Sequence, residues 1–223
     1  MKYALAPVLA LTCALAMPLA AQAETVSLQV SGTGVSASLT ITYGAQTDAK
    51  YPDAYVVTGI SGSFSDASVG ISNATVLGLV KTTFNVPDAT NLLAPANFSR
   101  FAVASGLGPQ NNGYLSYDNL FWPGGAPQTA SDYPAYGGML DIYGLMFRIG
   151  DGKVVNLWSN GVFDGPALGP IYGLAVATVD QALAYHEGIS VTAVPEPATT
   201  ALLLLGLGAT GWAARRQRGT RAG

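Results

Sequence analysis

Cysteine occurs once in this 223-residue chain, at Cys13, and histidine once, at His186. Cys13 lies in a segment expected to be removed, so the mature chain has no disulfide and no thiolate chemistry. Its stability must come from packing and not from cross-links. One histidine without a mature cysteine excludes most zinc sites. Any Ser-His-Asp triad would have to be built on His186, and no G-x-S-x-G elbow accompanies it. His186 stands beside Glu187 and before Gly188, which reads as a solvated turn near the last strand. No D-x-[DN]-x-[DN]-G calcium loop is present. No cofactor and no metal are expected.

Charge is also scarce, at 10% of residues. Between residues 24 and 193 only Lys50, Lys81, Arg100, Arg148 and Lys153 are basic, against twelve acids, a net charge of −7. Such a surface repels nucleic acid and anionic lipid, and no basic stripe exists to follow a phosphate backbone.

Gly, Ser, Thr, Val and Tyr dominate this body instead, a composition that favours strands over long helices. Thr25–Val30 and Ser38–Tyr43 alternate apolar with hydroxylated residues, the pattern of a strand buried on one side. Further strands are expected at Tyr55–Ile60, Gly62–Phe64, Thr75–Val80, Met139–Ile149, Val154–Ser159, Tyr172–Val179 and Ile189–Val194. Asp151-Gly152 supplies the positive-φ pair of a two-residue hairpin turn between Ile149 and Val154. Asn85–Asn112 carries prolines and asparagines with weak periodicity and reads as a long loop with a short helical turn. Many short strands with frequent turns predict an all-β domain, an antiparallel β-sandwich or jelly roll.

The ends differ from the body. Lys2 precedes an apolar run Ala4–Ala20, and Ala21-Gln22-Ala23 places small residues at a signal-peptidase site. This is the three-part pattern of a secretory signal peptide, with cleavage expected between Ala23 and Glu24. At the other end Pro195-Glu196-Pro197 precedes the uncharged run Ala198–Ala214, then Arg215, Arg216 and Arg218. The run is at the short edge of the roughly 17–25 residues that cross a bilayer core, and a helix satisfies its own backbone in lipid. Arginines beside a span stay on the cytoplasmic side. The expected topology is therefore body outside and residues 215–223 inside. Gly206-Leu207-Gly208-Ala209-Thr210-Gly211 fits a dinucleotide fingerprint only by letters, because it lies inside this apolar span with no strand before it. Small residues that let helices approach in lipid explain it better.

The tail resembles the PEP-CTERM sorting signal of exported Gram-negative proteins, in the order Pro195-Glu196-Pro197, apolar helix, arginine cluster. Such tails are sometimes labelled an ice-binding protein C-terminal domain, a label that implies nothing about ice. The resemblance implies passage through the Sec translocon, removal of residues 1–23 by signal peptidase, and transient anchoring in lipid. Recognition by an exosortase, cleavage near Pro195–Pro197 and transfer to the cell surface or extracellular matrix follow, in bacteria that make exopolysaccharide. More loosely, Asp53–Gly62, Tyr117–Pro123, Leu140–Phe147 and Val155-Asn156-Leu157 resemble passenger domains found before such tails. That resemblance implies a β-rich exported domain without assigned activity.

The expected organisation is a signal peptide (1–23), an exported sandwich (24–193), a sorting signal (194–218) and a cytoplasmic tail (219–223). Within the sandwich, Tyr114, Tyr117, Phe121, Trp122, Tyr133 and Tyr136 cluster near Pro and Gly. Two readings stand. Tyr117 and Trp122 stack on sugar while Asp118 and Asn119 bond its hydroxyls, making a carbohydrate-binding module for matrix polysaccharide. Alternatively the rings cover one end of the core, as aromatics commonly do. No spacing selects a catalytic carboxylate pair, which leaves a secreted glycoside hydrolase as a third reading behind a non-enzymatic surface protein.

Overall fold

A computed structural model describes residues 23–83, 89–107, 113–162 and 169–194. The expected signal-peptide core, Pro195-Glu196-Pro197, the helix 198–214 and the arginine cluster lie outside these residues. Among the described residues no helix is long and apolar enough to cross a membrane.

The body is all-β and antiparallel. Its strands are β1 (Glu24–Gly32), β2 (Val35–Thr47), β3 (Tyr55–Asp66), β4 (Ile71–Thr75), β5 (Gly78–Leu79), β6 (Ser99–Val103), β7 (Gly113–Tyr117), β8 (Leu120–Phe121), β9 (Leu145–Arg148), β10 (Val154–Gly161), β11 (Ile171–Ala177) and β12 (Ala182–Val194). One curled sheet runs β4-β3-β2-β1-β12-β11-β10-β9-β5, with β8 added to β3, and β6–β7 form a separate hairpin.

Two strands turn the corner between the layers, as strands that switch sheets do at bulges and bends. β12 pairs with β11 as far as Ile189 and with β1 from Ser190 onward. Its bend falls at a register shift beside Gly188. Between β4 and β5, the Val76 amide donates to Gly62 O (3.0 Å) and the next amide, Leu77, donates to Arg148 O (2.8 Å). Consecutive backbone groups therefore bond opposite layers. Leu28, Leu39, Ile41 and Phe64 from one layer meet Phe147, Leu157 and Leu174 from the other in one core.

The layers differ on their outer faces. β2 alternates buried and exposed residues along most of its length, so its hydroxyls face water. Every residue of β10 is buried. The β6–β7 hairpin supplies the reason: Val103, Leu115 and Tyr117 pack on Met146, Trp158 and Ala175 from outside. A strand covered on both faces loses the alternation that marks a half-buried one.

The structure corrects several expectations. β6 crosses the stretch read as a loop with a helical turn. Met139–Tyr143 is not strand, and the hairpin arm begins at Leu145. The turn itself is as read, with Asp151 at φ 60° and Gly152 at φ 69°. β12 starts at Ala182, seven residues before the expected strand, so His186 sits mid-strand and not in a solvated turn. The β12 residues before Ile189 lack clean alternation because they approach a bulge.

Candidate functional site

Two places concentrate polar chemistry. The first is a buried knot where three sequence segments meet. The turn after β7 puts Asp118 (0% exposed) and Asn119 (4%) inside the protein. Asn119 adopts φ 55°, and both ends of its amide are bonded: Nδ2 donates to Val80 O, and Oδ1 accepts the Met146 amide, both at 2.8 Å. The segment before β9 contributes Asp141, 3% exposed, whose Oδ1 accepts the Tyr143 and Gly144 amides at 3.0 Å. Gly144 O in turn accepts the Asp118 and Asn119 amides. From β10, Asn156 Nδ2 donates to Tyr143 O and Leu145 O. Gly144 is at φ 66°, and a Cβ there would lie 2.1 Å from Leu157 O. Only glycine fits where the segments cross.

Four atoms of this region are buried without a hydrogen-bond partner: Asp118 Oδ2, Asp141 Oδ2, Thr129 Oγ1 and Trp122 Nε1. Burial, and next the Asp141 charge, hold the Asp118 carboxyl well above the usual carboxylate range. Burial raises Asp141 as well, opposed first by the Gly144 amide and further by the nearby Thr129 and Asp118 side chains and the Tyr143 amide. The two carboxyls and the Thr129 hydroxyl are thus near enough to act on one another. Yet neither free Oδ2 nor Thr129 Oγ1 completes a well-formed hydrogen bond.

Asp48 anchors the knot from the other layer. Its Oδ1 accepts the Lys50, Tyr51 and Ala96 amides, and its Oδ2 accepts Asn97 N at 2.9 Å. Asn97 Nδ2 reaches on to Asp118 O at 2.8 Å.

These placements change the role of the four candidate glycan contacts. Tyr117 is 2% exposed and its hydroxyl donates to Lys81 O at 2.7 Å. Trp122 is 2% exposed and packs edge-on against Tyr51 at 5.2 Å. A ring so buried has no face to offer a sugar, and Asp118 and Asn119 are buried beside it. Of the two readings of the aromatic segment, the packing one describes these residues.

The second place is an open cleft of about 720 Å³ lined by β10, β12 and the β6–β7 hairpin. Its rings come from elsewhere. Tyr114 is 50% exposed with the Arg100 guanidinium 4.3 Å above its ring, and Tyr185 is 60% exposed, its ring 5.4 Å from that of Trp158. Asn160 Oδ1 accepts from Trp158 Nε1 (2.8 Å) and Tyr133 Oη (3.1 Å) at the cleft floor. Asp132 and Glu187 line it as well. Trp158 is 7% exposed in β10, and the sequence pattern does not single out Tyr185, because the part of β12 that carries it does not read as strand. Among the described residues no three His, Asp or Glu side chains converge as a metal cage.

At the two ends of the fold, β1 begins at Glu24, and Ala23 before it is exposed; Ala21 lies outside the described residues. β12 ends at Val194. An all-β body with a tail directly after its last described strand defines the class, and comparison with known families identifies the tail. Residues 193–218 match the PEP-CTERM protein-sorting motif. The motif marks a bacterial protein destined for export and membrane-associated sorting, with an exosortase as its processing partner. The match covers the tail alone. No curated protein and no solved structure matches the chain.

Proposed function

We propose that this is a non-enzymatic envelope protein of a Gram-negative bacterium, exported through Sec, held briefly by residues 198–214, and released by an exosortase to the surface or exopolysaccharide matrix. The observation that carries this is the sorting motif at 193–218, which starts at the penultimate residue of β12. Cleavage at Ala23–Glu24 and near Pro195–Pro197 would leave every strand whole. The test is mass spectrometry of the chain from parent and exosortase-deficient cells. The parent is expected to yield a surface protein starting at Glu24 and lacking residues 198–223, and the deficient strain an inner-membrane form that keeps them. Surface protein that retains Leu202–Arg218 overturns the reading.

The Tyr114–Tyr185 cleft favours a second reading, that the body binds matrix polysaccharide. Exposed rings flanked by Arg100, Asp132 and Glu187 offer stacking faces with hydrogen-bonding groups around them. A hydrolase needs two carboxyls roughly 5–10 Å apart across an accessible cleft. The Asp118–Asp141 pair is closed to a sugar, so Asp132 and Glu187 in the open cleft are the carboxyls on which that third reading would rest.

A further inference from the structure

Asp118, Thr129 and Asp141 stand far apart in the chain and meet at one point. Tyr143 and Gly144 bring them there: both amides hold Asp141 Oδ1, Gly144 O holds the Asp118 amide, and Tyr143 Oη donates to Thr129 O at 3.4 Å. What remains unused is one oxygen from each: Asp118 Oδ2, Asp141 Oδ2 and Thr129 Oγ1, in side chains 0%, 3% and 2% exposed. Buried polar atoms in native proteins are nearly always satisfied, and two adjacent buried carboxylates repel.

We propose that these three oxygens bind a hard divalent cation, calcium, which ties the turn after β7 to the segment before β9. The donor set fits the chemistry. Calcium takes carboxylate, hydroxyl and carbonyl oxygens and completes its shell with water. No nitrogen or sulfur donor stands among the three, which disfavours zinc and copper. The Trp122 indole N–H, also unpartnered, is a donor and takes no part as a ligand. Two carboxylates make a weak site of the kind suited to calcium-rich surroundings outside the cell, with Kd roughly 10⁻⁴–10⁻³ M. The site stabilises structure and has no path for a substrate.

The test is thermal unfolding of the detergent-solubilised full chain at neutral pH, in EDTA and then across a calcium titration, with magnesium as comparison. Calcium is expected to raise the midpoint saturably, and magnesium to do so much less. Thr129→Val keeps volume and removes one ligand, so the half-saturating calcium concentration should rise about tenfold. Asp118→Asn should abolish the response; if that variant does not fold, Thr129→Val alone decides. Equal midpoints in calcium and EDTA overturn the proposal and leave a proton shared between the carboxyls. A calcium response unchanged in Thr129→Val also overturns it, since the ion would then bind elsewhere.

Discussion

His186 Nε2 lies 2.8 Å from Asp66 Oδ2, although 120 residues separate them. The contact joins β12 to the end of β3, across the two layers. Asp66 is fully buried and His186 is partly buried, its side chain 16% exposed. The other carboxylate oxygen, Oδ1, accepts the Ser68 amide at 3.0 Å and the Ser68 hydroxyl at 2.6 Å, capping the 3-10 turn Ala67–Val69. The chain's single histidine is therefore a structural clamp. His186→Ala leaves one oxygen of a buried carboxylate short of a partner and should cost about 1–3 kcal/mol. His186→Gln, which can still donate, should recover part of this. Chemical denaturation of the two variants checks it.

The Asp118–Asp141 pair sets an unusual pH dependence. Both carboxyls are raised above the ordinary value of 3.8 by burial first. A group raised in the folded state binds its proton more tightly there than when unfolded. Its stabilisation is full below pH 3.8 and fades as pH climbs through the raised folded value. In EDTA, stability should therefore fall from mild acid toward neutrality through this pair, and Asp118→Asn should flatten that slope. Melting midpoints measured from acid to neutral pH, wild type against variant, report it.

Gly144→Ala tests the crossing point of the knot. A Cβ 2.1 Å from a carbonyl oxygen, at φ 66°, forces both strain and displacement. The expected loss is at least about 2 kcal/mol, read by denaturant unfolding.

Ring substitutions separate packing from recognition. Trp122→Ala should cost about 3–5 kcal/mol of stability. Tyr185→Ala and Tyr114→Ala should leave the fold intact and, if the cleft takes polysaccharide, weaken retention on it roughly tenfold. Affinity electrophoresis in the organism's own exopolysaccharide measures this. Unchanged retention in both tyrosine variants removes the second reading.

The parts of the fold that could be read from sequence are those where local chemistry decides. Asp151-Gly152 named its hairpin, and the hydroxyl alternation of β1 and β2 named theirs, because one face of each meets water. β6 escaped because prolines and asparagines flank it and its burial does not alternate cleanly along its five residues. The Ala182–Gly188 part of β12 escaped because Glu187-Gly188 mimics a turn where the chain only bulges. The polar knot was the hardest. Asp118 and Asn119 resemble loop residues in type, and their burial depends on Gly144 and Asn156, far away in sequence. A signal was nevertheless present. Asp141 sits as Leu-Asp-Ile, unlike the acids that stand beside Gly, Ser or Pro. An acid among apolar neighbours must find its donors inside the fold.

β12 also has a mechanical meaning. Its last residue, Val194, pairs with Ser27 of β1, and its earlier residues pair with β11. Force drawn from the tail along the strand direction would load those bonds together in shear instead of peeling them one at a time. A pull on the tail would therefore meet two neighbouring strands at once.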